Sequence, residues 1–139
     1  GMLVSGFPNL LMPSGPQSGS ASTNYPRGIE NGVNWGNDFF EYMQSRDLKY
    51  FEATEDAEKR WTDHVVKMYS VMLMRKAQSW FTGYNSNVDG HEAGKVRYLV
   101  YNGGTPKYVA TINDVAANDY EGIRFALDSR VLGGVVAAD

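Results

Sequence analysis

Two histidines, His64 and His91, are the only imidazoles in this 139-residue sequence, and cysteine is absent. The lack of thiols excludes disulfide scaffolds, thiolate metal sites and cysteine nucleophiles. His64 falls beside Trp61 and Val65 in a helical pattern and reads as a packing or surface histidine. His91 lies in the run Asn87-Val88-Asp89-Gly90-His91-Glu92. Asp89 or Glu92 could join it on a metal, but no third ligand has motif spacing, so no metal is expected. No nucleophile elbow supports Ser-His-Asp catalysis. Neither a phosphate loop ending in Gly-Lys-Ser/Thr nor a Gly-x-Gly-x-x-Gly turn occurs. The residues by themselves assign no catalytic group.

Two short stretches remain as candidates. Small residues at 18–23 lead directly into a helix start. The first backbone N–H groups of a helix lack partners and carry partial positive charge. Such an end can hold an anion or an electron-rich carbonyl, or Ser, Thr and Asn there can simply cap the helix. The second stretch is Ser79-Trp80-Phe81, which follows an amphipathic helix. Its tryptophan is either a core side chain or a flat surface for a ligand ring.

The elements that must position these residues are mixed α/β, two longer helices plus short strands. Residues 6–9, Gly-Phe-Pro-Asn, favour a turn. Leu10-Leu11-Met12 then suits a short strand buried on both faces. A first helix is expected over about 26–46, capped by Thr23 or Asn24, with Pro26 early and an apolar face of Ile29, Val33, Phe40 and Met43. Gly28, Gly32 and Gly36 beside that face would let another backbone approach closely. Leu48 to Phe51 is a strand or an extended connector. Thr54 caps a second helix over roughly 55–78, with acidic residues in its first turn and a stripe of Trp61, Val65, Met68 and Met72. Val96 to Tyr101 reads as a strand, 106–118 as a shorter helix, and Tyr120 to Leu127 as a closing strand. The tail from Ser129 is small and apolar.

Composition bounds the partners. The net charge is −3 and the sequence pI is about 5.3, with no basic run, so nucleic acid is not an expected partner. The first 26 residues are uncharged but interrupted by Pro8, Pro13 and Pro16, so they cannot form a membrane-spanning helix, and they lack the charged start of a signal peptide. The expected location is the cytoplasm.

Several runs, in order, resemble the C-terminal part of the Baeyer–Villiger flavin monooxygenases, the cyclohexanone and steroid monooxygenase family. They are Gly6-Phe7-Pro8-Asn9-Leu10 with Gly15-Pro16; Thr23-Asn24-Tyr25-Pro26 with Ile29-Glu30 and Trp35; and Glu52-Ala53-Thr54 with Ala57-Glu58 and Trp61-Thr62. Ser79-Trp80-Phe81 with Gly83, then Tyr101, Gly103-Gly104, Val115-Ala116-Ala117 and Tyr120-Glu121-Gly122 complete the series. The resemblance implies that residues 1–128 are the C-terminal segment of a flavin-binding domain and that 129–139 form a tail. It implies that Thr23, Asn24 and Tyr25 lie against the flavin, that Ser20, Ala21 and Ser22 line the substrate pocket, and that Trp80 contacts the nicotinamide cofactor.

The implied parent enzyme uses FAD, NADPH and O2 to convert a ketone to an ester or lactone. Two departures stand out. The loop from Gly83 to Lys95 is longer than the family's usual one, and Val109 stands where the family commonly has arginine. The family's dinucleotide motifs and catalytic arginine are also absent from these 139 residues, so the chain alone is expected to bind no cofactor and to be inactive. The alternative expectation is a non-catalytic module that self-associates through exposed apolar surface.

Overall fold

The computed structural model describes residues 1–19, 24–88 and 97–128. It is mixed α/β, as expected: three helices, a two-stranded sheet and two single turns of 3-10 helix. Helix α1 spans Tyr25–Ser45, strand β1 Tyr50–Ala53, α2 Glu55–Ser70, α3 Thr105–Ala117 and strand β2 Ile123–Ala126. The 3-10 turns are Leu73–Lys76 and Trp80–Thr82.

Helix α1 starts as its sequence dictates. Asn24 is the N-cap, its side chain accepting from the Arg27 N–H, and Pro26 sits in the first turn. The buried face differs from expectation. Ile29, Val33 and Phe40 are 39%, 42% and 43% exposed, while Gly32, Trp35, Gly36, Phe39 and Met43 are buried. The helix carries two apolar stripes, and the glycine-containing one wins because the N-terminal chain packs against it. A Cβ on Gly32 would collide with the Pro13 carbonyl, and one on Gly36 would sit 3.1 Å from Leu11 Cδ2. Glycine thus allows the close approach foreseen for it.

Helix α2 is capped by Thr54, which accepts from the Ala57 N–H, with Glu55, Asp56 and Glu58 in the first turn. It ends at Ser70 rather than near 78. Tyr69 is fully buried and its ring stacks on Tyr98 at 4.0 Å, which pins the last turn. The chain then tightens into the 3-10 turn, with the Met72 N–H bonded to the Tyr69 carbonyl. Leu73, in the 3-10 turn, is exposed.

Strands β1 and β2 pair antiparallel, Tyr50 opposite Ala126 and Ala53 opposite Ile123. The other edge of β1 is covered by one residue. Asn9 donates its N–H to the Phe51 carbonyl at 2.9 Å and accepts the Phe51 N–H on Oδ1 at 3.1 Å. Glu52, opposite Arg124, is buried and clamps the expected turn: it accepts the Gly6 N–H at 2.6 Å and pairs with Arg124 at 3.2 Å.

Two expected strands are not strands. Leu10–Met12 forms no ladder; the Met12 N–H donates to the Met2 carbonyl, its carbonyl accepts the Gly15 N–H in a turn, and Leu10 is partly exposed. Residues 97–101 are irregular, because their N–H groups go to the carbonyls of a turn instead of a neighbouring strand. Val96 and the tail from Ser129 lie outside the described residues.

The core is aromatic. Phe39 packs against Trp35, Phe51 and Tyr120 with centroids 4.9–5.3 Å apart. The Trp35 indole donates to the Ile112 carbonyl at 2.8 Å, tying α1 to α3. Trp61 stacks on Tyr101 at 5.2 Å and joins α2 to the connector before α3. Full burial of each such side chain is worth roughly 1.5–3 kcal/mol.

Candidate functional site

The first candidate stretch lies at the start of α1. Ser20, Ala21, Ser22 and Thr23 lie outside the described residues. Asn24 accepts the Arg27 N–H on its side chain at 3.3 Å and the Gly28 N–H on its carbonyl at 3.1 Å. Pro26 has no N–H. The first-turn donor that Asn24 does not engage is therefore the Tyr25 N–H. No acidic side chain sits in this turn, so the positive end of the helix dipole is not neutralised locally. Capping and ligand holding are compatible here: the cap uses Arg27 and leaves Tyr25. The Tyr25 ring is exposed.

Residues 15–18 are held by hydrogen bonds. Ser18 is buried and its hydroxyl donates to the Gly15 carbonyl. Burial pushes the nearby Tyr108 phenol up to about 12. Gln17 adopts φ 62°, a region that side-chain-bearing residues visit rarely. Its N–H donates to the Leu99 carbonyl at 2.8 Å, and its side-chain oxygen faces the Thr62 hydroxyl at 3.5 Å.

Trp80 is not a core residue: it is 74% exposed. It stands on a turn of unusual rigidity. Ser79 and Thr82 form a reciprocal capping box, with the Phe81 N–H on Ser79 Oγ and the Ser79 N–H on Thr82 Oγ1. Thr82 is buried and donates back to the Ser79 carbonyl at 2.8 Å. Gly83 closes the turn in the left-handed region, φ 77°. A large flat ring is thus presented to solvent on a hydrogen-bonded turn.

His64 packs beside the stacked rings of Trp61 and Tyr101, 5.6 and 6.0 Å away, as its helical setting suggested. It lines a pocket of about 380 Å³ between Met2–Leu3, α2 and α3, with Trp61, Tyr108 and Ile112. Of the expected site residues that are described, Asn24, Tyr25 and Trp80, none lines this pocket. Asp89, His91 and Glu92 lie outside the described residues. Among the described residues no three His, Asp or Glu side chains are placed to hold a metal, and no helix is long and apolar enough to cross a membrane.

Sequence reasoning missed Gln17, Ser18, Thr82 and Leu99, which fix the two stretches in place. The capping box was readable in the Ser79-x-x-Thr82 spacing; the bonds of Gln17 and Leu99 are backbone bonds and leave no residue-type signal.

No family model matches the chain. A phenazine N-monooxygenase of Lysobacter antibioticus is 35% identical over 122 residues, covering 88% of this chain and 21% of that protein. A cyclohexanone 1,2-monooxygenase of an Acinetobacter species is 32% identical over 127 residues, covering 91% and 22%. Among solved structures, cyclohexanone monooxygenase from Rhodococcus sp. Phi1 bound to NADP+ superposes with a TM-score of 0.79 at 29% identity, covering 91% of this chain and 23% of that one. A structure titled as the OTEMO complex with FAD and NADP gives 0.76 at 31% identity, covering 91% and 22%. The chain spans about a fifth of the length of the curated relatives it matches. It shares its sequence and fold with one segment of the Baeyer–Villiger-type monooxygenases, enzymes whose solved structures carry FAD and NADP.

Proposed function

We propose that this chain is the C-terminal part of an FAD- and NADPH-dependent Baeyer–Villiger monooxygenase that converts a ketone to an ester or lactone, and that it forms one wall of the cofactor site. The observation that carries this reading is Trp80, an exposed indole on a rigid capped turn. In an isolated globule such exposure wastes apolar surface; against a nicotinamide ring it gives a stacking face. The start of α1 fits the flavin equally well, because the Tyr25 N–H and the positive helix end suit an electron-rich carbonyl. When bound, the cofactors supply the redox chemistry. The residues of this chain supply contacts and orientation: Asn24 and Tyr25 at the flavin edge, residues 20–22 along the substrate pocket, and Trp80 at the nicotinamide. The reading also places the protein in the cytoplasm.

By itself the chain is inactive on this reading, since it holds only one side of each cofactor. Mixing the purified chain with FAD, NADPH and cyclohexanone is expected to give no ketone-dependent NADPH oxidation and no lactone. The intact protein is expected to give both. Lactone from the chain alone, or none from the intact protein with any ketone offered, refutes the proposal.

A second reading, a self-associating module, is favoured by one observation: Ile29, Val33 and Phe40 of α1, and Val71 and Leu73 after α2, are exposed. On the leading reading the rest of the enzyme covers these side chains. Sedimentation of the intact protein separates the two, because covered faces leave no concentration-dependent association.

A further inference from the structure

The two candidate cofactor stretches meet through one residue. The chain from Arg97 to Tyr101 runs between them without joining a sheet. On one side the Arg97 N–H donates to the Thr82 carbonyl at 2.9 Å, and the Leu99 N–H to the Phe81 carbonyl at 3.0 Å. On the other side the Leu99 carbonyl accepts the Gln17 N–H at 2.8 Å. Leu99 therefore commits its donor to the turn that displays Trp80 and its acceptor to the loop that leads to Asn24.

Neither neighbour is slack. A Cβ on Gly83 would lie 2.9 Å from Arg97 Cβ, so the Trp80 turn and the connector are in direct contact. Gln17 is held at a positive φ, and Ser18 beside it is buried and bonded to the Gly15 carbonyl. The connector is itself anchored, with Tyr98 stacked on Tyr69 at 4.0 Å and Tyr101 on Trp61 at 5.2 Å. A shift of the turn cannot be absorbed locally in a packed, hydrogen-bonded assembly of this kind.

We propose that Leu99 is a positioning residue that couples the two stretches, so that order imposed on the Trp80 turn is passed to the flavin-side loop at Gln17. The identity of the two ligands rests on the proposed function, whereas the coupling stands on the hydrogen bonds.

The test perturbs one end and reads the other, by amide hydrogen exchange on the full chain. Gly83→Ala forces a side chain into the left-handed region and against Arg97. It is expected to accelerate exchange at Arg97, Leu99 and Gln17 by about tenfold or more, with the amides of Phe39 and Val65 unchanged. Ser79→Ala, a milder variant that removes only the cap acceptor for the Phe81 N–H, is expected to give the same pattern at about threefold, and it decides the matter if the first variant does not fold. Acceleration at Leu99 with Gln17 unchanged overturns the coupling. Equal acceleration at Phe39 and Val65 also overturns it, because that shows global opening. No cofactor enters this test, so failure of the intact protein to bind NADP+ would count against the proposed function and leave the coupling result standing.

Discussion

Glu52 offers the sharpest test of how the N-terminal chain is held. Its carboxylate is buried, yet it makes two contacts: the Gly6 N–H at 2.6 Å and Arg124 Nη2 at 3.2 Å. Glu52→Ala leaves the Gly6 N–H without its acceptor in a partly buried turn, at about 1–3 kcal/mol for a stranded donor that had a charged partner. The Arg124 half of the pair is about half exposed, so its loss contributes no more than about 1 kcal/mol. The expected total is about 2–3 kcal/mol. Glu52→Gln keeps an oxygen for Gly6 and is expected to cost about half as much. Urea unfolding of both variants measures this as a shift in midpoint, and exchange at the Gly6 amide shows whether the turn has opened. A loss below about 0.5 kcal/mol for the alanine variant, or equal losses for both, would refute the claim that the Gly6 bond dominates.

Gly32→Ala drives a methyl group into the Pro13 carbonyl. The overpacking cost of about 1–3 kcal/mol exceeds the roughly 1 kcal/mol gained in helix propensity, so thermal unfolding is expected at lower temperature. The Tyr108 phenol, held up to about 12, is expected to stay protonated after exposed tyrosines ionise. Stability is then constant below pH 10 and falls between 10 and 12, which tyrosinate absorbance and unfolding curves together detect.

Local signals in the sequence carried the helices. Asn24, Pro26 and Thr54 mark starts that capping chemistry fixes, and the antiparallel pairing of β1 and β2 overlaps the expected segments Leu48–Phe51 and Tyr120–Leu127, extending past the first to Ala53. Tertiary packing decided the rest. The buried stripe of α1 depends on where residues 11–13 lie, and no count of apolar residues within the helix reports that. Helix α2 stops at Ser70 because Tyr69 is locked against Tyr98, a partner 29 positions away in sequence. The strand pattern at 97–101 is real, but its hydrogen bonds are taken by the Trp80 turn. As for the site, residue types singled out the helix start after residues 18–23 and Trp80, the resemblance added Tyr25, and the exposure of Trp80 separates a presented ring from a core ring. The backbone bridge at Leu99 has no residue-type signature at all.

The account stands most directly on Trp80. In the intact protein, Trp80→Ala is expected to leave the unfolding midpoint unchanged, because the side chain is exposed and the turn is held by Ser79 and Thr82. Ketone-dependent NADPH oxidation is expected to fall by about tenfold or more, equivalent to at least about 1.4 kcal/mol of lost stabilisation. Unaltered oxidation and unaltered NADPH affinity in a folded Trp80→Ala protein would contradict the placement of this chain at the cofactor site.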